Sequence, residues 1–322
     1  MSRHSFRQFS FNCLMILLSA SLLLAGCGKT ASAPPAASPE KEEPLVIGLM
    51  PDVESIPLIV AEKNGYFEAA DADVQLEIFQ SARDRDSALQ AGLLDGMVTD
   101  MVAVIFARTG GTPLKIISRT DGNILLLGDG VESLADLSGK SVGLSTNTVM
   151  EYSLDQMLLS AGMDPAAIEK TAVPALPTRL EMLLNHNLAA AILPQPLAGM
   201  ALSSGAALLC DTQQLGEKAG ALAFTEQALA EKAGNLRAFI QAYNQAAEEL
   251  NRAEPGAYDA FASEKLGFPE GTGQLTLPEY QPIRLPETTV FDHVLAWMQE
   301  RELLTQPLTY ADITADLSDP EP

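Results

Sequence analysis

Cysteine and histidine are scarce in this chain of 322 residues, which has three of each, the cysteines being Cys13, Cys27 and Cys210. So few thiols exclude a disulfide framework and a zinc site built from cysteines. His186 and His293 have no second ligand at metal-binding spacing, so we expect no metal and no cofactor. Cys210 ends an apolar run and is predicted to be an inert core thiol.

Basic residues are also few, since 20 lysines and arginines stand against 42 acidic residues and give a formal net charge of −22. Such an excess of negative charge repels phosphate backbones, so nucleic acid is excluded as a partner. The Gly-x-Ser-x-Gly and P-loop patterns of hydrolases and nucleotide-binding enzymes are missing as well. The sequence therefore does not predict an enzyme.

Long apolar runs are missing except near the N-terminus, where residues 9–24 follow Arg3 and Arg7 and end at small residues. This run is short for a membrane span and has the order of a secretory signal peptide, which we place at residues 1–26. The segment Leu24-Ala25-Gly26-Cys27 is similar to a bacterial lipobox, which predicts lipidation of Cys27. The alternative is an ordinary signal peptide followed by a chance cysteine. We expect an extracytoplasmic protein that is lipid-anchored to the cell membrane, on its periplasmic or outer face.

Residues 27–44 consist mainly of alanine, proline, serine, glycine, lysine and glutamate. A segment of this composition buries too little apolar surface to fold, so we predict a disordered tether.

Short apolar strands and helices alternate in the remaining sequence, which predicts an α/β fold with mostly parallel sheets. Strands are predicted at 45–49, 74–79, 94–98, 140–144, 171–173 and 189–193, with helices between them near 57–63, 82–91, 148–160 and 178–184. Gly48 and Gly143 are 95 residues apart, as are Met97 and Ile192. This offset indicates two similar lobes, although any α/β protein repeats strand, helix and strand. Two further packing helices are predicted at 236–252 and 290–302, with a long loop at 268–286.

The order and spacing of several motifs resemble those of solute-binding proteins of bacterial ABC importers, in the branch for nitrate, sulfonates, taurine and thiamine precursors. The motifs are Pro57–Glu62 with Gly65-Tyr66-Phe67, Ala88–Gly92 with Asp95-Gly96, Leu134–Gly143, Gly162–Pro165 and Leu193–Pro196.

This resemblance implies a type II periplasmic-binding-protein fold, in which two α/β lobes are joined by two crossing segments and close around a solute. We expect lobe 1 to comprise residues 45–122 and 217–322, and lobe 2 residues 123–216. The implied function is capture of a small polar organic solute and its delivery to ABC permease subunits, by a protein that is a monomer.

Ligands of open α/β sheets bind beyond the carboxyl ends of the strands, which selects the loops that follow them. The candidate ligand-binding residues are Pro51, Asp52, Ser55, Ile56, Ser81, Thr99, Asp100, Arg119, Asn123, Ser145, Thr146, Asn147, Thr148, Arg179 and Gln195. No catalytic residue is predicted.

Three of these assignments have alternatives. The hydroxyl-rich turn 145–148 precedes a helix and suits an anion, but Thr148 and Glu151 have the spacing of a capping box. Asp100 suits an amine of the ligand or a helix cap. Arg179 suits a carboxylate, but Thr178 and Glu181 form a second capping-box pattern that would place it on a solvated face. Arg83 and Arg85 are predicted to form surface ion pairs with neighbouring aspartates.

Two other functions remain open at this point. An enzyme on the same two-lobed scaffold would need an acid/base pair in the cleft, for which only carboxylates are present. A sensor or interaction lipoprotein would have a closed cleft too small for a solute.

Overall fold

A computed structural model describes residues 43–304 and 306–317, which belong to one compact unit. The predicted signal peptide, Cys27 and all but the last two residues of the predicted tether lie outside the described residues. No helix in the described part of the chain is both long and apolar enough to cross a membrane.

The first sheet contains five strands in the order β2-β1-β3-β10-β4. They are β1 Leu45–Leu49, β2 Val74–Ile78, β3 Gly96–Asp100, β4 Leu114–Arg119 and β10 Gly220–Thr225. β1 is parallel to β2 and β3, whereas β10 returns late in the chain and is antiparallel to β3 and β4. Four of the five residues of β1 are buried, as expected for a strand covered on both faces.

The second sheet also contains five strands, in the order β7-β6-β8-β5-β9. They are β5 Ile124–Gly128, β6 Ser141–Leu144, β7 Glu169–Ala172, β8 Ala190–Pro194 and β9 Ala207–Asp211. β6 is parallel to β7 and β8, and β5 is antiparallel to β8 and β9. The α/β fold with two separate sheets, predicted from the sequence, is confirmed.

Helices connect and cover the strands. They are α1 Ile56–Lys63, α2 Tyr66–Ala69, α3 Ala82–Gln90, α4 Met101–Thr109, α5 Val149–Ser160, α6 Leu176–Leu184, α7 Leu197–Ser203, α8 Thr212–Leu215, α9 Glu226–Glu231, α10 Ala233–Arg252, α11 Asp259–Leu266, α12 Thr288–Glu300 and α13 Tyr310–Ile313. The buried face of α10, which includes Phe239, Tyr243 and Leu250, packs on α1 and α2. The predicted loop between α11 and α12 contains no helix or strand.

The two sheets repeat the same local packing. Gly48 of β1 pairs with Met97, and Gly143 of β6 pairs with Ala191, so the offset at the second position is 94 residues. The predicted equivalence of Met97 with Ile192 is therefore wrong by one residue. A Cβ atom on Gly48 would lie 2.7 Å from Leu94 Cδ1, and one on Gly143 would lie 2.5 Å from Leu188 Cδ1. Both strands need glycine there because a leucine packs directly against the backbone.

The main differences from the sequence prediction concern β3, β4 and β5. The strand predicted at 94–98 is β3 at Gly96–Asp100, because Leu94 and Asp95 still belong to the turn after α3. β4 and β5 were not predicted as strands, and they lie on either side of the first passage between the sheets at residues 120–123. The second passage, at residues 216–219, leads directly into β10.

Helix α12 contacts both halves of the molecule. Its Phe291, Val294 and Met298 belong to the core that includes α4, while Trp297 donates from Nε1 to Asp155 Oδ2 of α5 at 2.8 Å. The Trp297 and Tyr152 rings meet edge to face with centroids 5.8 Å apart. The C-terminal segment, predicted as part of lobe 1, thus also packs on the helix that follows β6.

Candidate functional site

A cavity of about 720 Å³ lies where the carboxyl ends of strands from both sheets meet. Its walls include residues just after β1, β2 and β3 in the first sheet, and just after β6, β7 and β8 in the second. This is the position expected for a ligand of an open α/β sheet. The volume falls within the range of small-molecule sites, which is about 300–1,000 Å³.

Ten of the fifteen candidate residues line this cavity, namely Pro51, Asp52, Ser81, Thr99, Asp100, Asn123, Ser145, Asn147, Thr148 and Gln195. The rule that selects loops after strands therefore brought together residues that are up to 144 positions apart in sequence.

Ser55, Ile56, Arg119 and Thr146 do not line the cavity. Ser55 and Ile56 are fully buried, Ser55 because its Oγ is held by Asp52 and Ile56 because it belongs to the core of the first sheet. Arg119 instead forms an ion pair with Glu287, the residue before α12, at 3.0 Å. Thr146 is exposed on the outer side of its turn.

Arg179 also lies outside the cavity lining, and its predicted position on a solvated face is wrong. It is fully buried rather than solvated, and Ala175, not Thr178, precedes α6 as its cap. Its guanidinium donates to the carbonyl oxygens of Val173 at 2.9 Å and Ile192 at 2.7 Å, and to Ser145 Oγ. Burial lowers the pKa of Arg179 to about 10, which leaves it protonated at neutral pH.

Arg85 is the counterpart of Arg179 in the first sheet. Its predicted ion pair with a neighbouring aspartate forms, with Asp86, but Arg85 is 4% exposed, so its predicted surface position is wrong. Arg83 is exposed. Arg85 donates to the carbonyl oxygen of Val98 at 2.8 Å, to Thr99 Oγ1 at 3.1 Å and to Asp86 Oδ1 at 2.8 Å. Each sheet thus has one buried guanidinium at the cavity: Arg85 lines it directly, whereas Arg179 lies behind Ser145.

The turn before α5 is satisfied internally. Thr148 accepts from the Met150 N–H at 3.2 Å, and Glu151 Oε2 accepts from the Asn147 N–H at 2.7 Å. Burial acts on Glu151 most strongly and raises its pKa, but the Asn147 N–H and Lys170 outweigh this, so the pKa is lowered. A carboxylate therefore already occupies the position where an anion would bind this helix end.

Asp52 and Asp100 combine capping with exposure to the cavity. Asp52 Oδ1 accepts from the Glu54 and Ser55 N–H groups at 3.1 and 3.2 Å, and Asp100 Oδ1 accepts from the Ala103 N–H at 2.9 Å. Burial raises the pKa of each to about 6, although the capped N–H groups and Arg85 oppose the shift. The two interpretations of Asp100, a helix cap and a partner for an amine of the ligand, are thus compatible, because the same side chain caps α4 and lines the cavity.

Glu54 is a cavity residue that was not among the sequence candidates. Its Oε1 accepts from Thr120 Oγ1, and a Cβ atom on Gly122 or Gly220 would lie within 2.6 Å of the carboxyl group. The carboxyl group is therefore enclosed by both passages between the sheets. Burial, and secondarily the charge of Asp52, raise the pKa of Glu54 to about 8. Only its position between Asp52 and Ser55 in the first candidate loop could have suggested it.

The side-chain amides of Gln195 and Asn123, which line the cavity, are held in place by hydrogen bonds to their oxygens. Gln195 Oε1 accepts from the Gly199 N–H at 3.0 Å, and Asn123 Oδ1 accepts from Thr212 Oγ1 at 2.8 Å and the Gln213 N–H at 3.0 Å. Because an N–H or O–H must face each oxygen, the amide orientation is defined. Gln195 Nε2 and Asn123 Nδ2 have no hydrogen-bond partner among residues 43–304 and 306–317.

Cys210 is buried and unpaired, as predicted, and burial raises the pKa of its thiol. It lies in the core of the second sheet, outside the cavity.

Replacing Glu54 by glutamine should stabilise the ligand-free protein above pH 7. A carboxyl group whose folded-state pKa exceeds its unfolded-state value binds more protons when folded, so its contribution to stability is lost as pH rises from about 4.5 to about 8. Glutamine keeps the bond from Thr120 and cannot ionise. We expect the free energy of unfolding at pH 8 to rise by about 1 kcal/mol or more, with no gain at pH 4. Urea unfolding at both pH values measures this.

The matched control is Glu68→Gln, because Glu68 is exposed on α2, outside the cavity. An equal response of both variants to pH would show that Glu54 ionises as it does in water.

The chain belongs to the NMT1/THI5-like family, because the family model described as "NMT1/THI5 like" matches residues 52–255. This match covers nine of the ten strands, all except β1, and most of the cavity loops described above. No curated protein sequence matches the chain.

Solved structures share the fold at low sequence identity. The periplasmic aliphatic sulphonate binding protein SsuA from Escherichia coli is 17% identical, with a TM-score of 0.70 over 87% of this chain and 95% of that chain. The ligand binding component of an ABC-type import system from Staphylococcus aureus is 14% identical, with a TM-score of 0.69 over 85% and 97%. The desulfurization enzyme DSZB is 13% identical, with a TM-score of 0.58 over 85% and 97%. At these identities the likeness concerns the fold.

Proposed function

We propose that this protein is the extracytoplasmic solute-binding component of an ABC importer, and that it captures a small polar organic solute between its two lobes. The observation that carries this proposal is the cavity of about 720 Å³ whose wall comes from strand ends of both sheets. Within the described residues the chain passes between the two sheets at 120–123 and 216–219. A change at these segments, with repacking of α12 on α5, would let the walls separate to admit a solute and approach to enclose it.

Family membership and the importer and sulphonate-binding structures with the same fold support this role. Part of the proposal concerns residues outside the described range. We propose that residues 1–26 are removed, that Cys27 carries the lipid, that residues 27–44 are the tether and that the protein acts as a monomer beside ABC permease subunits. The lipobox pattern at Leu24–Cys27 is the support for the anchor.

The chemistry of the cavity favours binding over turnover. Among the described residues that line it there is no histidine, cysteine, lysine or tyrosine. Its carboxyl groups cap helices, accept from Thr120 or, at Asp86, pair with Arg85. An enzyme is the second candidate because DSZB shares the fold. Such an enzyme would have to use Asp52, Glu54 or Asp100 as its acid or base.

The test is a thermal-shift screen of the purified full-length chain against sulfonates, amino acids, pyrimidines and vitamin precursors, followed by titration calorimetry of each hit. A solute at one hundred times its dissociation constant should add about 2.7 kcal/mol to stability. We expect one solute per chain, recovered unchanged after long incubation. Conversion of the solute to a product would favour the enzyme, and the lack of any hit would contradict a receptor.

A further inference from the structure

The two walls of the cavity differ in electrostatic character. The wall from the first sheet carries four carboxyl groups, Asp52, Glu54, Asp86 and Asp100, and two guanidinium groups, Arg83 and Arg85. Arg85 pairs with Asp86, whereas Asp52, Glu54 and Asp100 form no ion pair with a described lysine or arginine, so carboxyl groups remain in excess. Oδ2 of Asp52 and Oε2 of Glu54 have no hydrogen-bond partner in the described part of the chain. This wall therefore presents acceptors and negative charge to whatever enters.

The wall from the second sheet has the opposite character. Arg179 is fully buried, forms no ion pair with a described carboxylate, and its one side-chain partner is the Oγ of Ser145, which lines the cavity. Its counterpart Arg85 is neutralised by the following residue, Asp86, whereas Arg179 is followed by Leu180. The guanidinium is hydrogen-bonded to two carbonyl oxygens and to Ser145, but no described carboxylate neutralises its charge, so the wall at Ser145 is positive.

Gln195 provides a second, independent observation on that wall. It is only 5% exposed, its Oε1 is held by the Gly199 N–H, and its Nε2 has no partner among the described residues. This amide N–H₂ group is accessible from the cavity and is free to donate to a solute. A bound acceptor would satisfy it.

We propose that the cavity takes a zwitterionic solute in one orientation, with its cationic group at Glu54 and Asp52 and its anionic group at Ser145 and Gln195. This inference rests on the proposed function and names the class of solute for it. A simple inorganic anion fits poorly because three of the four carboxyl groups on the first wall have no ion-pair partner in the described chain. A simple amine would satisfy that wall but would leave Gln195 Nε2 unpaired and the Arg179 charge uncompensated.

The test uses matched sets of solutes that differ only in charge. They are 4-aminobutanoate, butanoate and butylamine; 6-aminohexanoate, hexanoate and hexylamine; and phenylalanine, 3-phenylpropanoate and phenethylamine, with uracil as a neutral solute. Thermal shifts and titration calorimetry of the full-length chain at pH 8 rank them. We expect at least one zwitterion to bind more tightly than both of its single-charge analogues.

Two variants assign the two ends of the solute. Glu54→Gln should raise the dissociation constant of the zwitterion by on the order of 30-fold or more, since one partner of an enclosed charge pair is lost. Gln195→Glu keeps the shape but turns the free donor into an acceptor, and should weaken the zwitterion about tenfold or more. Glu68→Gln should leave it unchanged. Because Glu54→Gln is expected to be at least as stable as the parent, weaker binding cannot be attributed to unfolding.

The outcomes distinguish failure of the zwitterion inference from failure of the proposed receptor function. If only anions or only neutral solutes bind, or if Glu54→Gln binds the zwitterion as tightly as the parent, the zwitterion inference is wrong and the receptor function stands. If no solute of any class binds here or in the broader screen, the receptor function is contradicted as well.

Discussion

Replacing Arg301 by methionine is expected to lower the free energy of unfolding by about 3–5 kcal/mol. Arg301, just after α12, pairs with Glu151 at 3.1 Å and with Asp155, two carboxylates of α5 that are 3% and 2% exposed. Without Arg301, Lys170 is the one basic residue of the described chain that still pairs with both of them. Removing one partner of a buried charge cluster leaves a charge without compensation, which costs more than the pair itself contributes.

Urea unfolding at pH 7 measures this change, and Arg252→Met is the control. Arg252 pairs with Glu248 on α10, and both side chains are mostly exposed, 74% and 59%. Its loss should cost less than about 0.5 kcal/mol. Equal effects of the two substitutions would show that α12 is not held to α5 by the Arg301 cluster.

Affinity for a zwitterion should rise about 50-fold between pH 6 and pH 8. A cation binds ionised Glu54, and burial raises the pKa of this group to about 8 in the free protein, so roughly one molecule in a hundred is ionised at pH 6 and half are ionised at pH 8. Binding near pH 7 must therefore release a proton. Titration calorimetry in buffers of different ionisation enthalpy, at each pH, measures both quantities.

Several other groups face Glu54 and enter this titration. They are Asp52 and Asp100 on the same wall, Asp121 and Lys218 on the two passages, and Tyr243 and Tyr280 behind them. Burial raises the pKa of Asp52 and Asp100 to about 6. Both therefore contribute to the rise in affinity only near pH 6. In Glu54→Gln the increase above pH 7 should disappear. An affinity that is constant from pH 6 to pH 8 in the parent would show that no cation binds at Glu54.

Local patterns in the sequence predicted most of the architecture. Short-range sequence preferences agree with the final packing at several places. These are the apolar runs at β1 and β6, the glycines at 48 and 143, and the helix ends between them. Loops after strands follow from the topology of parallel sheets, so ten of the candidate residues line the cavity. The antiparallel strands β5 and β10 were not recognised, because their place depends on the return of the chain between the sheets.

The individual roles of the charged residues could not be predicted, because their partners are distant in sequence. Arg119 pairs with Glu287, 168 residues away, and that pair removes it from the cavity. Arg179 resembles a surface residue in its local sequence, yet it lies beneath Ser145, 34 residues away. Glu54 is enclosed by Gly122 and Gly220, which lack the Cβ atoms that would exclude it. Only the folded chain brings these groups together.

The most direct test of the central claim is a crystal structure of the protein with the solute that binds most tightly in the calorimetric screen. We predict that the solute occupies the cavity between the two sheets, with its cationic group against Glu54 and an acceptor against Gln195 Nε2. A solute bound on the outer surface, or in contact with residues of only one sheet, would contradict the account.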